Sequence, residues 1–350
     1  MKLARTAALA FAALASGCGS LGSMDYYAQS LGGHLELMRR AKPVPAWLAD
    51  GATPEPLRQR LQLALALREF AVTALRLPDN ASYRRYADLG RPSVVWNVVA
   101  APELSLTLHT WCFPVMGCVG YRGYFDRAAA DALAGTLRDA AWEVNVYGVP
   151  AYSTLGWTNW AGGDPLLNTF INWPEADLAR LIFHELAHQV AYASDDTQFN
   201  ESYATAVEGL GAARWADASG RPGEDGTAAR RRAEFKALTL RTRAALDALY
   251  QGPLSDADKR LGKAAALAAM HTEYASMKAG AWGGFAGYDA WMARANNASL
   301  AVQAAYDGLV PEFGRLFERQ GRDFARFHAE VKRLAALPKD ERRATLAALK

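Results

Sequence analysis

The chain predicts an α+β fold that is predominantly α-helical, and three observations carry this expectation. Segments rich in β-branched and aromatic residues are confined to positions 93–157, where a single helical stretch interrupts them. The residues before them read as two helices, each ended by proline. Everything beyond Thr227 reads as helix after helix. A small mixed or antiparallel sheet set among helices follows, not a doubly wound one.

With 350 residues, 51% of them hydrophobic, the chain can bury a large core. The net charge is +3, and +1 once Lys2 and Arg5 are set aside, so nothing electrostatic points to nucleic acid as a partner. Lys2 and Arg5 precede an apolar run from Thr6 to Leu14, which suits a signal peptide over residues 1–17 and is too short to span a bilayer. The run ends in Ala15-Ser16-Gly17-Cys18, which resembles a bacterial lipobox. That resemblance implies lipidation of Cys18, the alternative being an ordinary secretory signal that contains a cysteine; Gly19 in place of aspartate favours anchoring in the outer membrane facing the periplasm, and the small and polar residues that follow Cys18 make 18–24 a short tether. Cys112 and Cys118 flank a Pro114–Gly117 turn; a bridge and two buried free thiols both fit the spacing.

The first helix is expected from Asp25 to about Arg40, with Tyr26, Leu31, Leu35 and Leu37 roughly on one side. A second begins near Pro54, carries Leu57, Leu61, Leu65, Phe70 and Leu75 as its stripe, and stops at Pro78. Strands are expected at Ser93–Val99, Leu104–Trp111, Val119–Phe125 and Glu143–Tyr147, with a further one at Ala151–Trp157; Arg127–Trp142 is helical. After a loop at Asn159–Pro165, Asn172 or Trp173 should cap a helix with Pro174 in its first turn. Ser194-Asp195-Asp196-Thr197 breaks that helix, and another starts with Asn200 as N-cap and runs to about Trp215. Later helices are expected at Ala228–Tyr250, Asp256–Ala279, Tyr288–Leu309 and Asp323–Leu349, and Arg230-Arg231-Arg232 reads as a solvated helix face.

The chemistry lies in His184-Glu185-Leu186-Ala187-His188-Gln189. Two histidines four apart on a helix share one face, so both imidazoles reach one metal ion, and Glu185 reaches a water beside it. A carboxylate on the following helix can complete a three-ligand site that leaves a fourth position open, as catalytic zinc requires. Glu201 is the expected third ligand, with Asp195 and Asp196 as rivals in the helix-ending segment. For a hydrogen-bond donor to a developing oxyanion, Tyr121, Tyr124, Tyr152, Tyr274 and Tyr288 are all conceivable, and Tyr152–Trp157 could be a strand edge along which a peptide lies.

Taken with Asn200-Glu201-Ser202-Tyr203-Ala204 and Glu208, the motif resembles the gluzincin signature of zinc aminopeptidases. Leu77–Tyr83, Trp111–Val115, Tyr121–Phe125, Tyr152–Trp157 and Asn296–Ala298 extend the likeness to a family of predicted aminopeptidases found as bacterial lipoproteins. The resemblance implies a gluzincin-like core, one Zn²⁺ held by His184, His188 and Glu201, Glu185 as general base, and Glu208 as the acid that orients a zinc-bound histidine. It implies a metallopeptidase domain over 25–350, divided into a helical part (25–90), the sheet and zinc-site helices (91–217) and a second helical part (218–350). Peptides would be the substrates, and the membrane a partner through the lipid. No G-x-M-E-N segment is present to hold a substrate amino group. The alternative class is an inactive lipoprotein that uses the same fold as a binding or assembly module.

Overall fold

The computed structural model describes residues 21–113, 117–151, 153–154, 162–220 and 226–349. The leader with Cys18 lies outside them, as does most of the 152–157 segment expected to bind peptide. Helices predominate, with three small sheets.

Helix α1 (Leu21–Arg40) ends where the prolines require, followed by strand β1 (Lys42–Pro43), helix α2 (Val44–Ala49) and helix α3 (Glu55–Thr73). The expected stripe on α1 is only half right. Tyr26 stacks on Phe113 and Leu37 is buried, but Leu31 and Leu35 face outward, 61% and 50% exposed. At 100° per residue they fall on the far side of the helix from Tyr26. On α3 the stripe packs against the main core, and Arg68 is buried beside it.

Strand β3 (Val95–Pro102) pairs antiparallel with β6 (Arg122–Tyr124) and along its whole length with β7 (Trp142–Val149), from Val95 opposite Val149 to Pro102 opposite Trp142. Its apolar run is nearly continuous because both faces are covered. Val98 and Ala100 pack with Ala130 and Ala134 of helix α4 (Arg127–Asp139), while Val99 and Ala101 pack with Ala298 on the opposite face. A second sheet joins β1, β2 (Arg85–Ala87) and β8 (Leu166–Leu167), the last pair parallel. Strands β4 (Trp111–Phe113) and β5 (Gly117–Val119) form a hairpin with Cys112 opposite Cys118, and the two are disulfide-bonded.

The strand expected at Leu104–Trp111 does not form before Trp111. Its apolar residues serve other neighbours: Leu106 is buried in a helical cluster and Leu108 packs beside Tyr121 and Tyr147. No paired ladder is needed to account for their apolar character.

Helices α5 (Glu175–His188) and α6 (Thr197–Ser219) form an antiparallel hairpin at the centre of the main core, which Leu178, Ile182, Phe183, Leu186, Phe199, Tyr203 and Val207 enter fully buried. Each such side chain contributes about 1.5–3 kcal/mol. Pro174 occupies the N-cap position of α5, so neither Asn172 nor Trp173 caps it. Helix α6 starts three residues earlier than expected. Asp196 is its N-cap, accepting from Phe199 N at 3.1 Å, and Asn200 sits inside the first turn.

Helices α7 (Gly226–Gln251) and α8 (Asp256–Ala279) pair around their own cluster of Phe235, Leu246, Met270 and Tyr274. The Arg230–Arg232 run is more than a solvated face. Arg231 donates to Trp282 O at 2.8 Å, and Arg232 pairs with Asp177 of α5 at 2.8 Å. The long helix expected at Tyr288–Leu309 is two, α9 (Asp289–Met292) and α10 (Asn297–Asp307), because Asn296 and Asn297 bond to Val144 O, Pro102 O and Glu103 O at the break. After α11 (Val310–Arg319), Pro338 divides the last stretch into α12 (Phe324–Ala335) and α13 (Lys339–Ala347).

Candidate metal centre

The geometry of the centre follows from the antiparallel hairpin. Trp215 Nε1 donates to Glu175 at one end (2.8 Å), Glu208 lies against His184 in the middle, and Glu201 lies against both histidines at the other end. The connection that sets this register is built from side chains. Asn200 Oδ1 accepts from Ala193 N at 2.8 Å and its Nδ2 donates to Ala193 O at 2.7 Å, closing the turn. Asp196, 2% exposed, receives Arg342 Nη1 at 3.0 Å and Arg343 Nε at 2.8 Å from α13. Asp195 also faces Arg342, at 3.1 Å. Both rival carboxylates are thus engaged at the turn, and Glu201 is the acid that joins the histidines.

Three potential ligand atoms converge. His184 Nε2 is 3.2 Å from His188 Nε2 and 3.3 Å from Glu201 Oε2, and His188 Nε2 is 3.4 Å from the same oxygen. Ligands at about 2.0–2.1 Å from a tetrahedral zinc are separated from one another by about 3.3 Å. The observed triangle therefore has the size of one tetrahedral face, and the donor set of two imidazoles and a carboxylate is one that zinc takes. These three residues fit the metal.

Electrostatics favour a positive charge at that point. Burial alone would raise the Glu201 pKa, but the His188 charge and hydrogen bonds from both imidazoles bring it down to about 2. Burial opposes a charge on His184, yet its hydrogen bonds to Glu201 and Glu208 and the charge of Glu185 hold its pKa well above the usual histidine value. His184 Nδ1 lies 2.9 Å from Glu208 Oε2, so Nδ1–H donates there, and a metal would displace the remaining proton and take the Nε2 lone pair. Arg180 stands behind Glu208 at 3.7 Å. His188 has no equivalent: its Nδ1 is buried without a hydrogen-bond partner among the described residues.

Glu185 follows His184 on the helix and is half-buried. Its charge is felt by Tyr83 and Asp164 on one side and by Tyr121 and Tyr306 on the other. Asp164 is buried and accepts from Thr154 N and Oγ1, at 3.1 and 2.8 Å. Burial first of all, then Glu185, raises its pKa to about 6 against the lowering by Thr154. The Gly162–Asp164 loop interlocks with Ala81–Tyr83. Gly163 has φ +65°, and a Cβ there would stand 2.4 Å from Ser82 N, so only glycine fits. Gln189, which ends the motif, is held in the same network. It receives Asn80 Nδ2 at 2.7 Å and donates to Ser82 Oγ at 3.2 Å. Tyr83, also buried, carries φ +62° and has a hydroxyl with no hydrogen-bond partner among the described residues.

One phenol beside the ligands carries no signal in the sequence. Tyr306 of α10 lies over the His184 ring, with centroids 6.2 Å apart and planes 23° from parallel. The Glu201 charge, then burial, keeps its hydroxyl protonated far beyond the usual tyrosine range. Tyr121 and Tyr147 line the same cavity. Of the other tyrosines named from sequence, Tyr124 packs on Tyr26, Tyr274 donates to Asp289, Tyr288 stacks on Phe235, and Tyr152 lies outside the described residues. Tyr306 stands 118 residues after His188 with no motif around it, so only the packing of α10 against α6 and β3 reveals it.

Among known proteins, no curated protein and no solved structure matches the chain. A family model does, over residues 25–346, which takes in the helical N-terminal part, the sheet, the paired metal-centre helices and all but the end of α13. The chain therefore belongs to the family described as "Putative aminopeptidase".

Proposed function

We propose that the protein is a zinc-dependent peptidase of gluzincin type, an aminopeptidase by its family, with His184, His188 and Glu201 holding the ion. The triangle of ligand atoms at 3.2–3.4 Å carries this reading. When bound, zinc acidifies a water and polarises the carbonyl to be attacked. Glu185, adjacent to the ligand set and without a hydrogen bond of its own among the described residues, accepts the water's proton and returns it to the leaving amine. Glu208 fixes the His184 tautomer through Nδ1. Tyr306, neutral and beside Glu201, donates to the developing oxyanion. The lipobox-like Ala15–Cys18 supports attachment to the outer membrane through Cys18, which faces the catalytic domain into the periplasm.

Glu185→Gln is the direct test. The variant should retain about one zinc per chain while hydrolysis of a peptide mixture, followed by mass spectrometry, falls by roughly 10²–10⁴-fold. Full activity in that variant would refute the assigned base. Comparing free and acetylated N-termini on one peptide decides whether the enzyme requires the amino group.

A further inference from the structure

The cavity beside Glu201 has features that the hydrolytic chemistry does not use. It is a small cleft open to solvent, and its 280 Å³ of empty space includes that open side. Among the described residues its walls come from five parts of the fold: Leu108 after β3, Gly120 and Tyr121 after the disulfide hairpin, Tyr147 of β7, Thr197 and Glu201 of α6, and Val302 with Tyr306 one turn apart on α10. Among the described lining residues Glu201 is the only charged one. Behind this wall Val99, Ala101 and Ala298 are fully buried, so the cavity is backed by the sheet and α10 and not by a loose surface.

From this we infer that the cavity is the specificity pocket of the enzyme and takes the uncharged apolar or aromatic side chain of a residue flanking the scissile bond. The inference rests on the peptidase reading. Glu201 forms part of the cavity wall and also holds the metal, so a side chain seated there belongs to a residue whose backbone lies at the ion. A carboxylate, an ammonium or a guanidinium entering would each lose its water against leucine, valine and phenol rings, while the one carboxylate of the described wall is committed to the metal. An aliphatic or aromatic side chain buries its surface without that cost, and ring faces supply edge or stacking contacts for an aromatic one.

One part of the wall rests on a close contact. A Cβ on Gly120 would stand 2.8 Å from Leu108 Cδ1, so Leu108 rests directly on the glycine backbone. Any side chain at position 120 meets Leu108 and takes up space at the cavity wall, and shortening Leu108 frees space there. Gly120 and Leu108 are accordingly a pair of specificity-determining residues acting in opposite senses.

Two series of peptides test this, varying Ala, Leu, Phe, Lys and Asp on either side of one bond. They are scored by hydrolysis with the zinc-loaded enzyme and, independently, by calorimetric binding to zinc-loaded Glu185→Gln. At one of the two positions, Leu or Phe should exceed Ala by roughly tenfold to a hundredfold, with Lys and Asp below Ala. Leu108→Ala should shift the Phe-to-Leu ratio upward and Gly120→Ala should shift the Leu-to-Ala ratio downward, with zinc content and thermal melting checked for each. Equal handling of apolar and charged side chains at both positions would overturn the inference, as would ratios that both variants leave in place. If the Glu185→Gln protein binds with the stated preference while the wild type cleaves nothing, the hydrolase reading fails and the pocket stands. If the wild type cleaves without preference, the reverse holds.

Discussion

Removing the Glu208 carboxylate in two steps separates what its charge contributes from what its position contributes. Glu208→Gln keeps an acceptor oxygen within reach of His184 Nδ1–H, now 2.9 Å from the carboxylate, but discards the charge. A charge-assisted hydrogen bond is about twice as strong as a neutral one, so the loss should be about 1 kcal/mol, or roughly fivefold in zinc affinity. Glu208→Ala removes the acceptor. The buried Nδ1–H is then unsatisfied, the tautomer is free to invert, and Nε2 is no longer committed as a lone pair. Losing such an outer partner costs about 10–100-fold in metal affinity. Arg180 adds little, because its 3.7 Å contact with Glu208 is loose and its side chain is 24% exposed, so water replaces the partner. The expected order is wild type, then Gln, then Ala, measured by competition for zinc with a chromophoric chelator. Urea unfolding of the metal-free proteins would check that each variant is folded. A Glu208→Ala affinity within twofold of wild type would refute the reasoning, and so would a Gln variant as weak as the Ala variant.

Three further perturbations test the scaffold. His328 is buried, receives the Tyr203 hydroxyl on Nδ1 at 2.8 Å and donates from Nε2 to Leu75 O at 2.8 Å; burial lowers its pKa to about 4. Because the unfolded chain takes up this proton first as pH falls, stability should be flat above about pH 6.5 and should drop by up to about 3 kcal/mol on acidification to pH 4. His328→Gln should remove that part of the pH slope in urea unfolding, and an unchanged slope would count against it. Arg342, 2% exposed, donates to Asp195, Asp196 and the carbonyls of Leu334, Ala335 and Leu337. Arg342→Met leaves Asp196 with Arg343 alone and should destabilise by about 3 kcal/mol, whereas a loss under 1 kcal/mol would show that the clamp on the α5–α6 turn is dispensable. The Cys112–Cys118 bridge closes a short loop, and replacing both residues by serine should cost about 2 kcal/mol, while the intact mass of untreated protein should be two hydrogens below the reduced form.

The candidate metal centre was legible in the sequence because its geometry is local. Helical periodicity puts His184 and His188 on one face, and a short connection lets the next helix return antiparallel, so Glu201 and Glu208 can meet them at matching heights. The predominance of helix, the confinement of strands to one region and the disulfide as one of two options were open to the same local reasoning. Orientation was harder. Leu31 and Leu35 are expected on the packed side of α1 but face outward, because an apolar residue need not be buried, and the Leu104–Trp111 segment is expected to be a strand because apolar character does not say what a residue packs against. What the tertiary structure alone decided is everything supplied from a distance: Tyr306 over His184, Arg342 and Arg343 holding Asp196, and the cavity assembled from Leu108, Gly120, Tyr147 and Val302. These residues carry no spacing signal, since they come together only when α10 and α13 pack onto the hairpin. A sequence states which groups can share one helix face; which groups meet from different elements is settled by packing.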